Sequence, residues 1–234
     1  MKIRELIFEG GNIWKGDLTT IRIPRDLVKP TVAFLERVTG LSLLNNMLGT
    51  TGIAETSGDI DLAVDASKYN KEELISKLET WARENDPESK VRKTGISVHF
   101  RCPIAGNKLY NYVQVDFTFV KDMNFTHWLY RPGSVSQYKN VTRTILMASI
   151  ARSMGLRFSV DHGLEDRKTG KPLSKGTNPD YIAQRLLNKN ASKKDLSSIE
   201  TILASLKNDP ERDEKLADAR KMLPTYGVPP EIMQ

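Results

Sequence analysis

The stretch Thr56-Ser-Gly-Asp-Ile-Asp-Leu-Ala-Val-Asp65 carries the reading on which the fold of this chain turns. On a β-strand, side chains two residues apart share a face, so Asp59 and Asp61 project together while Ile60, Leu62 and Val64 point the other way, into a core. Aspartate is disfavoured in strands, and neighbouring carboxylates repel each other unless a cation or protons compensate. The pair therefore predicts a divalent-cation site on the polar face of a strand anchored by its apolar face. Mg2+ is the natural occupant, because it takes hard oxygen ligands and is commonly held by one or two carboxylates together with substrate phosphates.

Downstream, Val113-Gln-Val-Asp-Phe-Thr-Phe-Val120 repeats the pattern: Val113, Val115, Phe117 and Phe119 share one parity, and Gln114, Asp116 and Thr118 the other. If this second strand lies beside the first with the same face exposed, Asp116 joins Asp59 and Asp61 in a cluster able to hold two cations. Two metals about 3.5–4 Å apart clamp the attacking and leaving oxygens of an in-line displacement at phosphorus. Upstream, Gly49-Thr50-Thr51-Gly52 reads as a turn whose backbone N–H groups face an anion and whose hydroxyls add donors, a seat for a triphosphate. Alone, such a run is most often an ordinary turn, and a lone Asp-x-Asp is most often a solvated strand face. The three features in this order favour the metal site. Asp65 shares the parity of the pair but stands at the strand end, where aspartate commonly caps a following helix, and it is left out of the site.

Turn, acidic strand and third acid together resemble the nucleotidyltransferase superfamily that includes DNA polymerase beta, poly(A) polymerases, CCA-adding enzymes and the minimal antibiotic- and protein-modifying nucleotidyltransferases. Gly49, Thr50, Asp59, Asp61 and Asp116 carry the resemblance, which covers about residues 24 to 120. It implies a nucleotidyltransferase fold, with Gly49 and Thr50 on the nucleotide phosphates, Asp59 and Asp61 on both metals, and Asp116 on the metal that activates the acceptor hydroxyl. Threonine stands at position 50 where the family usually has serine, keeping the hydroxyl and adding a methyl group. The implied reaction moves a nucleoside monophosphate from an NTP to a hydroxyl acceptor and releases pyrophosphate, with two Mg2+ ions or Mn2+ in their place.

The expected fold class is α+β: a small mixed β-sheet flanked by helices over residues 1–132, then a mainly helical C-terminal domain over 133–234, the division falling at Pro132-Gly133. Helices are expected over 24–38 and over 70–85, where Leu74, Ile75, Leu78 and Trp81 recur at helical spacing, and a strand over 96–101. A helix over 136–154 would present Lys139 and Arg143 on one face and Val141, Ile145 and Ala148 on another. In the resembling family a helix after the third acid often carries basic residues that reach the triphosphate, so Lys139 and Arg143 join Gly49, Thr50 and Thr51 as nucleotide-binding candidates; the other reading is a solvated basic face. A hairpin over 157–174, turning at Asp166–Gly170, and helices over 179–189, 193–207 and 211–222 complete the chain. Leu196, Ile199, Ile202, Leu203 and Leu206 form an apolar stripe that reads as bundle core.

Composition fits a soluble enzyme: 39% apolar content over 234 residues fills a sizeable core, and no apolar run reaches the roughly 18 residues of a membrane span. Met1-Lys-Ile-Arg-Glu-Leu6 lacks a secretory apolar stretch, and a cytoplasmic location is expected. The single cysteine, Cys102, excludes an internal disulfide framework and a cysteine-based zinc site. His99, His127 and His162 lie far apart without metal-ligand spacing, and structural or surface roles are expected for them.

Charge is concentrated. Residues 166–194 hold eight Lys or Arg against two Asp, a net +6 equal to that of the whole chain, 35 minus 29. This stretch suggests a polyanionic partner, with RNA favoured and an RNA 3′ end as the acceptor, although no recognised nucleic-acid motif accompanies it. Two other readings remain: nucleotidylation of a protein or small molecule, and a catalytically silent module that binds nucleotide or nucleic acid.

Overall fold

The computed structural model describes residues 13–14, 18–130 and 136–234. The chain is α+β and divides into two compact units, one ending at Met123 and the other beginning at Asn124.

In the N-terminal unit, short strand β1 (Ile23–Pro24) leads into α1 (Arg25–Thr39), which ends where Gly40 takes a left-handed φ of 74° and its N–H caps Glu36 O. Strand β2 (Thr56–Ser57) pairs with β1, and β3 (Asp59–Asp65) follows at once. Helix α2 (Lys71–Asn85) starts on Asn70, whose side chain accepts the N–H groups of Glu72 and Glu73. Strands β4 (Lys90–Thr94), β5 (Ser97–Pro103) and β6 (Tyr112–Val120) complete a four-stranded sheet in the order β3-β6-β5-β4. The sheet is mixed, because β3 runs parallel to β6 while β5 is antiparallel to both β6 and β4. Its apolar face, with Ile60, Leu62, Val98, Phe100, Val115 and Phe117 fully buried, packs with Val32 and Leu35 of α1 and Leu74 and Leu78 of α2 in one core. Burying a side chain of this size contributes about 1.5–3 kcal/mol, so the apolar parity fixes which face looks outward.

The C-terminal unit comprises α3 (Met123–Tyr130), α4 (Asn140–Ser153), the pair β7 (Leu156–Ser159) and β8 (Gly163–Asp166), then α5 (Pro179–Leu186), α6 (Ile199–Ser205) and α7 (Arg212–Met222). Helix α4 is its centre, with every residue from Thr142 to Ala151 buried. Leu196, Ile199, Ile202, Leu203 and Leu206 are all buried in the same core, as their stripe implied.

Several boundaries move. Phe125 and Leu129 belong to the C-terminal core, which puts α3 beyond the division, whereas composition suggested a boundary at Pro132-Gly133, outside the described residues. The helix expected from 136 begins only at Asn140. The β7–β8 hairpin turns between Ser159 and Gly163; Asp166–Gly170 forms a second turn, closed by the Asp166 N–H on Lys171 O at 2.9 Å. Among the described residues no helix is long and apolar enough to cross a membrane.

Candidate metal centre

The parallel pairing of β3 with β6 sets Asp61 directly opposite Asp116 and Asp59 opposite Gln114, all on the face away from the core. One carboxylate oxygen from each of Asp59, Asp61 and Asp116 lies within 4.8 Å of the others, an oxygen-only donor set that can hold a divalent cation. Asp65, at the end of the strand, accepts the Ser67 N–H and hydroxyl and pairs with Lys68 at 3.2 Å; it serves the turn before α2 and not the cluster.

Burial and mutual repulsion disfavour the ionised acids, as expected of carboxylates that a cation can neutralise. Burial, and then the charge of Asp116, push the Asp59 carboxyl up from 3.8 to about 6, with Arg22 pulling weakly the other way. Burial, with Asp59 and Asp116 beside it, holds the Asp61 carboxyl well above its ordinary range. The folded state therefore binds protons here more readily than the unfolded chain does. In metal-free protein, the stability from protonated Asp59 is full below 3.8 and lost as pH rises through about 6. Thermal melts in a chelator should show this fall, and Mg2+ should restore stability more at pH above 6 than below; a melting curve flat over that window, with or without Mg2+, would count against the charged cluster.

The Gly49–Gly52 turn is fastened to the acidic strand. Met47 bridges to Leu62, the Leu48 N–H donates to Asp61 O at 2.9 Å, and the Asp61 N–H donates to Thr51 Oγ1 at 3.2 Å. Gly49 has φ +59°, and a Cβ there would stand 3.8 Å from Asp61 Oδ2, so the turn touches the acid it accompanies. Thr51 is buried and Thr50 exposed.

Turn and acids border a cleft of about 420 Å³, which is also lined by Thr20, Arg22, Thr56, Ser57 and Gln114. Arg22 is exposed there, its guanidinium held by Thr56 Oγ1 at 3.1 Å and Thr56 O at 3.0 Å, and it forms no ion pair among the described residues. Ser57 Oγ is buried with no hydrogen-bond partner among the described residues. A wall of hydroxyls with one fixed guanidinium, facing two carboxylates, suits an anion that arrives with a cation. Asp116 borders the other carboxylates and does not itself line the cleft.

Gly49, Thr50, Thr51, Asp59, Asp61 and Asp116 are thus brought together. Lys139 and Arg143 belong to the other unit. Lys139 is the exposed N-cap of α4. Arg143 is not on a shared basic face: it is buried, donates to Trp128 O at 3.0 Å and Leu129 O at 2.7 Å, and lies 5.0 Å from the Trp128 ring centre. It closes the end of α3, and burial lowers its pKa to about 10. An Arg143→Ala variant should lose about 2–3 kcal/mol of stability, as expected for charged hydrogen bonds to buried carbonyls, while nucleotide affinity is unchanged. Weaker nucleotide binding at full stability would return Arg143 to the site.

Arg22, Ser57, His99 and Gln114 escaped the sequence reading. The β1–β2 pairing sets Ile23 opposite Ser57 and brings Arg22 onto Thr56, and His99 meets Asp116 only through the β5–β6 register. The parity of His99 with Ser97 and Arg101 on its strand was visible; its partner was not. No protein-family model matches the chain, and no curated protein matches it.

Proposed function

We propose that the protein is a magnesium-dependent nucleotidyltransferase of the DNA polymerase beta type, transferring a nucleoside monophosphate from an NTP to the 3′ hydroxyl of RNA. The observation that carries this reading is the in-register placement of Asp61 opposite Asp116, with Asp59 beside them, at a cleft fastened to the Gly49–Thr51 turn. Mg2+, when bound, supplies charge neutralisation at the phosphates and lowers the pKa of the attacking hydroxyl. Asp59 and Asp61 would hold the ions, and Asp116 would complete the site of the acceptor hydroxyl. Thr50, Thr51, Ser57 and Arg22 would bind the phosphate oxygens and orient the leaving pyrophosphate. A bond would then form from the acceptor oxygen to the α-phosphorus as the α–β phosphoanhydride bond breaks, pyrophosphate leaving with that electron pair and the acceptor proton passing to water.

The choice of RNA rests on the basic stretch. Arg167, Lys168, Lys171, Lys175, Arg185, Lys189, Lys193 and Lys194 are all exposed, and none forms an ion pair among the described residues. The two carboxylates of the stretch are turned to the chain itself: Asp166 accepts the Thr169 N–H and hydroxyl, and Asp180 accepts the Lys193 N–H at 2.7 Å. They stitch loops and leave the cations open to phosphates. The test is incubation with each labelled NTP, Mg2+ and separate pools of RNA, DNA and cell protein. Label in RNA supports the reading; label in protein alone transfers the activity to a protein acceptor, and label in none, with Mn2+ also tried, overturns the RNA acceptor and points to a small-molecule acceptor or a catalytically silent module.

A further inference from the structure

Asp116 is gripped from two sides. His99 Nδ1 lies 2.8 Å from its Oδ1, and Gln114 Nε2 donates to its Oδ2 at 3.0 Å. An ionised carboxylate only accepts, so the ring proton that faces it is on Nδ1. His99 stands opposite Asp116 across β5–β6, and Gln114 precedes Asp116 by one step of the same strand face. All three side chains are buried.

We propose that His99 and Gln114 are positioning residues for the cation site, locking the Asp116 carboxylate in the rotation that presents it to the ion. This rests on the metal-centre reading above. A carboxylate has about four lone-pair positions; one donor on each oxygen occupies two and leaves one on each oxygen for a metal. Without the donors, the carboxylate can turn about its terminal bond, and the charges of Asp59 and Asp61 drive it away.

The grip is itself supported. The main-chain N–H of Ile13 donates to Gln114 Oε1 at 3.0 Å, which orients the amide so that its nitrogen faces Asp116. The Ile13 carbonyl accepts from Arg92 at 2.6 Å, and the Arg92 guanidinium stacks 4.7 Å from the centre of the Trp14 ring. Arg92 is the cross-strand partner of His99. One row across the sheet, Asp61, Asp116, His99 and Arg92, is thereby tied back through Ile13 to Gln114. The cation site is held by four strands and one clipped segment, not by two strands alone.

The test is Mn2+ titration of the metal-free protein at neutral pH, read by electron paramagnetic resonance, on wild type, His99→Phe, His99→Asn, Gln114→Met and Asp59→Asn/Asp61→Asn. Removing a hydrogen-bond partner of a metal ligand typically weakens affinity about 10–100-fold, and His99→Phe and Gln114→Met should each do so with the circular dichroism of wild type. His99→Asn can return a donor at the place of Nδ1 and should stay near wild type. Should His99→Phe not fold, Gln114→Met carries the test. Wild-type Mn2+ affinity in Gln114→Met or in folded His99→Phe overturns the proposal, as does a folded His99→Asn that binds as weakly as His99→Phe. Wild-type protein that takes up no Mn2+, or takes it up equally in the Asp59→Asn/Asp61→Asn variant, removes the metal centre and the positioning role with it.

Discussion

An Asp59→Asn/Asp61→Asn variant should lose the proposed nucleotidyl transfer by at least ~10³-fold and yet melt at a higher temperature than wild type when both are free of divalent cation. The loss follows because metal ions supply several kcal/mol to the transition state, and about 4 kcal/mol corresponds to ~10³ in rate. The gain follows because burial and mutual repulsion already disfavour ionised Asp59 and Asp61 in the folded chain. Asparagine keeps the shape and removes the charge. Calorimetry in a chelator and a labelled-NTP assay read the two effects separately. A variant that melts lower than wild type while losing activity would mean that the carboxylates serve the fold and that the loss is indirect.

The second large effect concerns the basic stretch. Reversing Lys168, Lys171 and Lys175 to glutamate should weaken single-stranded RNA binding at least about tenfold at 0.1 M salt. It should also flatten the slope of log affinity against log salt by about 2, since each phosphate contact to a single strand contributes about 0.7. All three side chains are exposed, so folding should be unaffected. NTP binding should be unchanged. Fluorescence anisotropy across a salt series measures both quantities, and an unaltered affinity and slope would leave RNA without support as the acceptor.

What could be read from the sequence follows from where side chains report their surroundings. β3 and β6 were legible because each alternates between a buried apolar face and a carboxylate face, and both strands lie where that alternation put them. β4 was not: Lys90-Val-Arg-Lys-Thr94 is an edge strand with four of five residues exposed, and it has no apolar partner set to betray its period. α4 was legible as a helix but not as a buried one, because its polar residues find internal partners. Arg143 bonds the end of α3, and Ser149 donates to Lys215 O at 2.7 Å. The acids of the site could be proposed from spacing, since all three share the parity of strand positions. Arg22 and His99 reach them only through tertiary pairing, which local pattern does not encode. Arg143 shows the converse, a basic residue at helical spacing whose charge is spent inside.

The edges of the sheet bear on how copies of the protein meet. On the β3 side, residues 46–48 pair with the strand through the Met47–Leu62 bridge, the Leu48 N–H to Asp61 O and the Ala63 N–H to Asn46 O, so that the middle of this edge is covered. Among the described residues no strand pairs with the outer side of β4, which carries the cations Lys90, Arg92 and Lys93. Cations along an exposed strand discourage another chain from adding to the sheet. Neutralising Lys90 and Lys93, with Arg92 left on Ile13 O, weakens that guard, and its first consequence is self-association through β4, visible as turbidity or a shift in sedimentation.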